Sequence, residues 1–342
     1  MDQFVKKTLF AVAGSGKTSQ LIAELTTSKR TLLLTYTENN YKNLLNLVQI
    51  KFGYIPDNIL VCTYFSFLYS FCIKPFIIGS NIKTTGLFFE EAPRFAKGLK
   101  RYITANGRVF HSRALALIDQ YIGFQKVSAR LAKFFDCVLI DEVQDFAGYD
   151  FDFIELVGKT ACDSIFVGDF YQHTFNTSND GSKNHNLHAD YNNYKARFQC
   201  FSEVDEISLS GCHRCSEAIC DFVKENLEIK ICSLRFDAMG EISLLDDDVE
   251  ITKIMKADNV KKLFFRDSSK YMCNAGNWGD CKGLSFDDVC VVLNKTTFTN
   301  FSSGTLNKLA PQTKNKFYVA CTRSRGKLFF VEEERIKGFK IK

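Results

Sequence analysis

Gly14, Ser15, Gly16, Lys17 and Thr18 stand directly after an apolar run, residues 8–13, and residue types in that order build a phosphate cradle. Glycines at 14 and 16 let the backbone turn with its N–H groups pointing inward, and a helix starting near Lys17 adds its positive N-terminal end. Lys17 then reaches the outer phosphates and the Thr18 hydroxyl takes a position on Mg²⁺. The expected ligand is a nucleoside triphosphate with magnesium. Asp141 and Glu142 close a second apolar run, 137–140. There Asp141 suits Mg²⁺ through water, and Glu142 suits the proton of an attacking water. A third run, 164–167, ends in Gly168-Asp169 and then Gln172, a residue type that can sense hydrolysis at the γ-phosphate.

Such groups need a scaffold that delivers loops to one edge. Continuous apolar stretches at 8–12, 30–35, 60–63, 137–140 and 164–167, with a helix expected over 18–25, predict a parallel sheet covered on both faces. Ligands of such sheets sit at the carboxyl ends of the strands. Tyr36, Thr37, Thr63, Phe65 and Ser66 fall at those ends, and Phe175 follows Gln172 closely. Aromatic rings there can stack bases and hydroxyls can bond phosphates. Residues 66–135 read as a mostly helical insertion. Between 91 and 135 it carries nine basic residues against two acidic ones, an excess suited to a polyanion such as nucleic acid.

With 342 residues, 46% of them hydrophobic, the chain can bury two medium cores. Thirteen cysteines scattered through apolar contexts are expected to be buried, reduced thiols in a reducing compartment. Cys212-His213-Arg214-Cys215 has no second pair at zinc-finger spacing. The apolar run 61–73 stops at Lys74-Pro75, short of the roughly 20 residues of a membrane span, so a soluble cytoplasmic protein is expected. The 33 phenylalanines suggest an AT-rich coding genome such as that of a virus or phage.

Taken together and in order, these stretches resemble the motifs of superfamily 1 helicases, most closely the UvrD/Rep-like group. Residues 13–18 resemble motif I, 34–37 motif Ia, 63–67 motif Ib, 140–145 motif II and 168–172 motif III. In the second half, 209–216 resemble motif IV, 282–287 motif V and 317–325 motif VI. Departures include Ala11 for the first glycine of the phosphate loop, His213 before the motif IV arginine, and Thr177 in place of an aromatic after Phe175.

The resemblance implies two RecA-like P-loop NTPase domains with parallel sheets. The first spans 1–205 with the basic insertion at 66–135, and the second spans 206–342 with a reduced insertion at about 231–276. ATP and Mg²⁺ would bind between them. Gly14, Ser15, Gly16, Lys17, Thr18, Asp141 and Gly283 would hold the nucleotide, with Thr18 and Asp141 on the metal. Lys17, Glu142 and Gln172 would act together with Arg214 and Arg323, the two arginines reaching the γ-phosphate. Tyr36, Thr37, Thr63, Phe65, Ser66 and Phe175 would contact the strand. The implied activity is unwinding of tailed duplex DNA, 3′ to 5′, by closure of the two domains on single-stranded DNA. Two alternatives are a viral replicase-type RNA helicase and a DNA-stimulated ATPase switch that recruits a replication, repair or nuclease partner.

Overall fold

Strand formation in the first half follows the apolar runs. The strands are β1 (Lys6–Phe10), β2 (Thr31–Thr35), β3 (Ile59–Thr63), β4 (Gly86–Phe88), β5 (Arg108–Phe110), β6 (Cys137–Asp141), β7 (Asp163–Gly168) and β8 (Glu203–Asp205). A computed structural model describes residues 4–78, 81–174, 183–236 and 240–341; Phe175 and Thr177 lie outside the described residues. The chain divides into two compact units. The first comprises Met1–Leu9, Lys17–Gly168 and Asn176–Asp205; the second comprises Phe10–Gly16, Asp169–Phe175 and Glu206–Lys342.

In the first unit six strands form one sheet in the order β3-β2-β6-β7-β1-β8. The pairings of β2 with β3 and β6, of β6 with β7 and of β1 with β8 are parallel. Every residue of β2 and β6 is buried, as strands covered on both faces must be. Edge strand β3 alternates instead, leaving Leu60 exposed. All the carboxyl ends at Thr35, Thr63, Asp141 and Gly168 therefore face the same way.

The stretch 66–135 is helical at its two ends, including Leu68–Ile73 and Phe124–Phe134. Its middle is not: β4 and β5 pair in parallel there, a departure from the helical pattern expected. Gly86 at φ +154° and Gly107 at φ +76° give the backbone turns that a continuous helix would forbid. The basic excess is also divided. Arg113 is buried and donates to the carbonyls of Pro93 and Arg101. Arg130 lies over the rings of Phe71 and Phe134, 4.5 and 4.6 Å from their centroids. The other seven basic residues are exposed.

The second unit contains β9 (Gly211–Cys212), β10 (Cys232–Ser233), β11 (Ile242–Leu244), β12 (Val260–Phe264), β13 (Ala275–Asn277), β14 (Asp288–Leu293) and β15 (Leu328–Glu332). A five-stranded parallel sheet runs β11-β15-β14-β12-β13. Residues 231–276, read as a reduced insertion, supply β11, β12 and β13 to this sheet. Trp278, Phe317 and Phe330 are fully buried on one face of it, and the indole Nε1 donates to Leu263 O at 2.8 Å. All thirteen cysteines are free thiols. Among the described residues no helix is long and apolar enough to cross a membrane.

Candidate nucleotide site

Lys17 opens the helix Lys17–Glu24, so its side chain and that of Thr18 issue from the first turn, where backbone N–H groups have no helical partner. Thr18 Oγ1 donates to Asp141 Oδ2 at 3.1 Å, joining the helix start to the carboxyl end of β6. Burial, and then the neighbouring Glu142 carboxylate, push Asp141 up to about 7; Lys17 and the Thr18 hydroxyl pull the other way. Glu142 has left-handed backbone (φ 58°, ψ 46°), an uncommon conformation for a side-chain-bearing residue that turns it off the strand. Gln144 Nε2 donates to Glu142 Oε2, fixing the carboxylate. Gln144 can lie there because Gly168 has no side chain: a Cβ at 168 would come within 2.5 Å of Gln144 Oε1. Neither role of Gln144 and Gly168 is signalled by residue type alone.

Gly14, Ser15 and Gly16 belong to the second unit. Gly14 and Gly16 have φ of +71° and +83°, the turn geometry that glycine supplies without strain. The His213 N–H donates to Gly14 O at 2.9 Å. A Cβ at Gly14 would stand 2.8 Å from Arg214 Cβ and 3.0 Å from Cys212 Sγ, so the loop packs directly on the Cys212–Cys215 turn. Cys212 Sγ accepts the N–H groups of Arg214 and Cys215. Its thiol is held well below the usual range, first by a hydrogen bond from Cys215 and then by one from Cys220. Among the described residues no group of three or more His, Cys, Asp or Glu is placed to hold a metal ion.

A cleft of about 510 Å³ is lined by Gly14, Gly16, His213, Arg214, Arg235, Ser285 and Arg325. Arg214 is thus brought beside the phosphate loop. Arg323 is not among the lining residues. It is buried, donating to Val319 O at 3.0 Å, Leu284 O at 3.2 Å and Thr322 Oγ1 at 3.4 Å. Gly283 forms the turn before Leu284, with φ +82°, outside that lining. Gln172 is buried and donates to Asp169 Oδ2 at 2.8 Å.

A model of the viral superfamily 1 RNA helicase core domain matches residues 119–332, more than half of the chain. The chain belongs to that family.

An arterivirus helicase among the solved structures shares the fold. The PRRSV helicase is 13% identical, with 97% of this chain and 53% of that chain covered and a TM-score of 0.49. An arterivirus nonstructural protein 10 helicase is 13% identical, covering 98% and 62%, with a TM-score of 0.50. The complex of an arterivirus nonstructural protein 10 helicase with DNA is 14% identical, covering 98% and 63%, with a TM-score of 0.49. The chain therefore spans between 53% and 63% of the length of these proteins. No curated protein matches the chain significantly.

Each unit of this viral helicase core, taken by itself, has residues that fit part of a triphosphate with Mg²⁺. Ser15 Oγ is buried in the phosphate loop with no hydrogen-bond partner, a polar atom left for a ligand to satisfy. Nothing stands within 4 Å of where a Cβ would project from Gly16, so the cradle is open. Thr18 and Asp141 would be the oxygen donors for a Mg²⁺ ion, which favours such ligands.

The expected strand contacts of the helicase core are mostly engaged with their own unit. Thr37 Oγ1 caps the helix Glu38–Phe52 by accepting from Asn40 N. Thr63 caps the turn Tyr64–Phe67 through Ser66 N and donates to Ser66 Oγ at 2.9 Å. Tyr36 is half-buried among Tyr64, Phe65 and Phe146, and its hydroxyl donates to Asp150 Oδ2 at 3.3 Å. Phe65 meets Phe89 and His111 of the insertion edge-on, and Phe89 is exposed. The second unit offers a further surface that sequence reasoning missed: a cleft of about 490 Å³ at the carboxyl ends of β12 and β14, rimmed by Arg266, Lys270, Lys295 and Lys340.

Proposed function

We propose that the chain is the motor core of a viral-type RNA helicase, using ATP hydrolysis to move along and separate RNA strands. The observation that carries this reading is the Thr18–Asp141 hydrogen bond at the start of the phosphate-loop helix, in a chain of the viral superfamily 1 family. Lys17 binds the outer phosphates, and the loop N–H groups with the Ser15 hydroxyl satisfy the inner ones. Thr18 and Asp141 hold Mg²⁺, which when bound neutralises charge on the transferred phosphoryl group. Glu142, oriented by Gln144, takes the proton of the attacking water. Arg214 supplies positive charge from the second unit.

Turnover of ATP with and without single-stranded RNA or DNA, followed by strand separation on duplexes with 3′ or 5′ tails, tests the reading. Stronger stimulation by RNA together with RNA unwinding is expected. Preference for DNA with a 3′ tail would support the narrower UvrD/Rep-like, 3′ to 5′ DNA reading. Stimulated turnover without strand separation would favour a nucleotide-gated module that recruits a replication, repair or nuclease partner. Absence of turnover under all conditions would end the motor reading.

A further inference from the structure

Arg235 lies in none of the ordered motifs, yet its guanidinium joins two of them. Nη1 donates to Arg214 O at 2.8 Å and to Arg325 O at 2.6 Å, bridging positions 21 and 90 residues away in sequence. Arg235 is itself anchored: its N–H donates to Ser233 Oγ at 3.0 Å, and that hydroxyl donates to Cys215 O at 2.8 Å. All these residues lie in the second unit.

The two carbonyls it ties belong to the arginines that line the phosphate-loop cleft, and among the described residues no carboxylate lines that cleft. Guanidiniums gathered without an acid face an anion best, and their planar forks recognise phosphate only when held at the right spacing. Like charges would otherwise drift apart. Burial and then the Arg323 charge already make Arg214 a poorer proton holder. Arg214 Nη1 also donates to Thr322 O at 3.1 Å, so its turn is braced at both side chain and backbone.

We infer that Arg235 is a positioning residue, a strut that sets the spacing of Arg214 and Arg325 around the phosphates of the bound nucleotide. The inference rests on the nucleotide reading above. Its action runs through the backbone of its neighbours, so removing it displaces two phosphate-facing arginines at once.

Wild type, Arg235→Ala, Arg235→Lys, Arg214→Ala and the Arg235→Ala/Arg214→Ala double variant are compared in ATP turnover, binding of a fluorescent ATP analogue and thermal midpoint. Arg235→Ala is expected to lower kcat by about 100-fold, the order of loss that small misplacement of catalytic groups produces. Its affinity for the analogue should fall much less. Arg235→Lys should recover part of kcat, and adding Arg235→Ala to Arg214→Ala should cost less than Arg235→Ala costs the wild type, because only Arg325 is then left for the strut to position. Undiminished kcat in Arg235→Ala would overturn the inference, as would losses that multiply in the double variant. Loss of kcat in step with a collapsed thermal midpoint, with Arg235→Lys no better, would also overturn it. A wild type that binds the analogue without turning over ATP would instead count against the motor reading, and the inference would then be read from analogue binding alone.

Discussion

The Tyr318 hydroxyl donates to Asp169 Oδ2 at 3.1 Å while accepting the Ala13 N–H at 2.8 Å, and Asp169 Oδ2 also accepts Gln172 Nε2. One buried phenol thus links the phosphate loop to the segment that carries Gln172. Tyr318→Phe keeps the ring and deletes the link, leaving the Ala13 N–H without this acceptor. A destabilisation of about 1–3 kcal/mol is expected in urea unfolding, the cost of orphaning buried polar groups. An unchanged unfolding midpoint would show that the link contributes nothing.

Thr18 and Asp141 meet at 3.1 Å, so either substitution disturbs the same proposed Mg²⁺ site. Thr18→Ala is expected to raise the Mg²⁺ concentration for half-maximal turnover by about 10- to 100-fold, with Asp141→Asn at the upper end. A magnesium titration of ATP turnover checks this. A curve that does not move in either variant would place the metal elsewhere.

Glu142→Gln keeps the size of the side chain and removes the proton acceptor. A fall in kcat of about 10²- to 10⁴-fold is expected, with ATP-analogue binding close to wild type. Parallel loss of binding and turnover would instead assign Glu142 to holding the nucleotide.

Much of this arrangement is legible from local sequence, because it depends on neighbours in the chain. Leu32, Leu33 and Leu34 can only be a buried strand, and Gly16-Lys17-Thr18 after an apolar run can scarcely avoid starting a helix. The ends of β6 and β7 follow in the same way. What is not legible depends on partners far away. Thr37 and Thr63 at strand ends look like phosphate ligands, but the same hydroxyls are the preferred helix caps, and capping is what they do here, with Ser66 as the partner of Thr63. Nothing in the local sequence tells Arg323, spent on backbone carbonyls, from Arg325, which lines the cleft two residues later. Arg235 gives no local signal, since its partners lie 21 and 90 positions away. Strands β11 and β13 are three residues each, too short to mark residues 231–276 as part of a sheet.

Asp150 is buried and accepts hydrogen bonds from Tyr64 at 2.9 Å and Tyr36 at 3.3 Å. Burial pushes its carboxyl up to about 7, with a smaller push from Asp152, and outweighs the two phenol hydrogen bonds. In the unfolded chain it titrates near 3.9, so the folded state binds the extra proton between those values. Stability from this group is fully present below about pH 4 and is lost as pH rises through 7. Wild type should therefore lose on the order of 1–2 kcal/mol more than Asp150→Asn between pH 5.5 and pH 8 in urea unfolding. Equal losses in the two proteins would mean that Asp150 is already ionised at the lower pH.

The cleft at the carboxyl ends of β12 and β14 offers aromatic rings and cations together in the second unit. Its floor includes the stacked rings of Phe264 and Tyr271, 4.1 Å apart, with Lys340 over Tyr271 at 5.4 Å. Lys270 is paired with Asp267 at 3.1 Å, and Arg266 and Lys295 are exposed on its rim. If these two cations meet the phosphates of a single strand, each should release counterions on binding. Removing one then flattens the dependence of log affinity on log salt by about 0.7. Arg266→Ala and Lys295→Ala are accordingly expected to weaken single-stranded RNA binding in fluorescence anisotropy and to reduce the salt slope by that amount each. Lys253→Ala takes the same charge from the helix Asp248–Lys256, outside the cleft lining, and should leave the slope alone. Slopes that change equally in all three variants would mean that the protein's overall charge, and not this cleft, governs the strand.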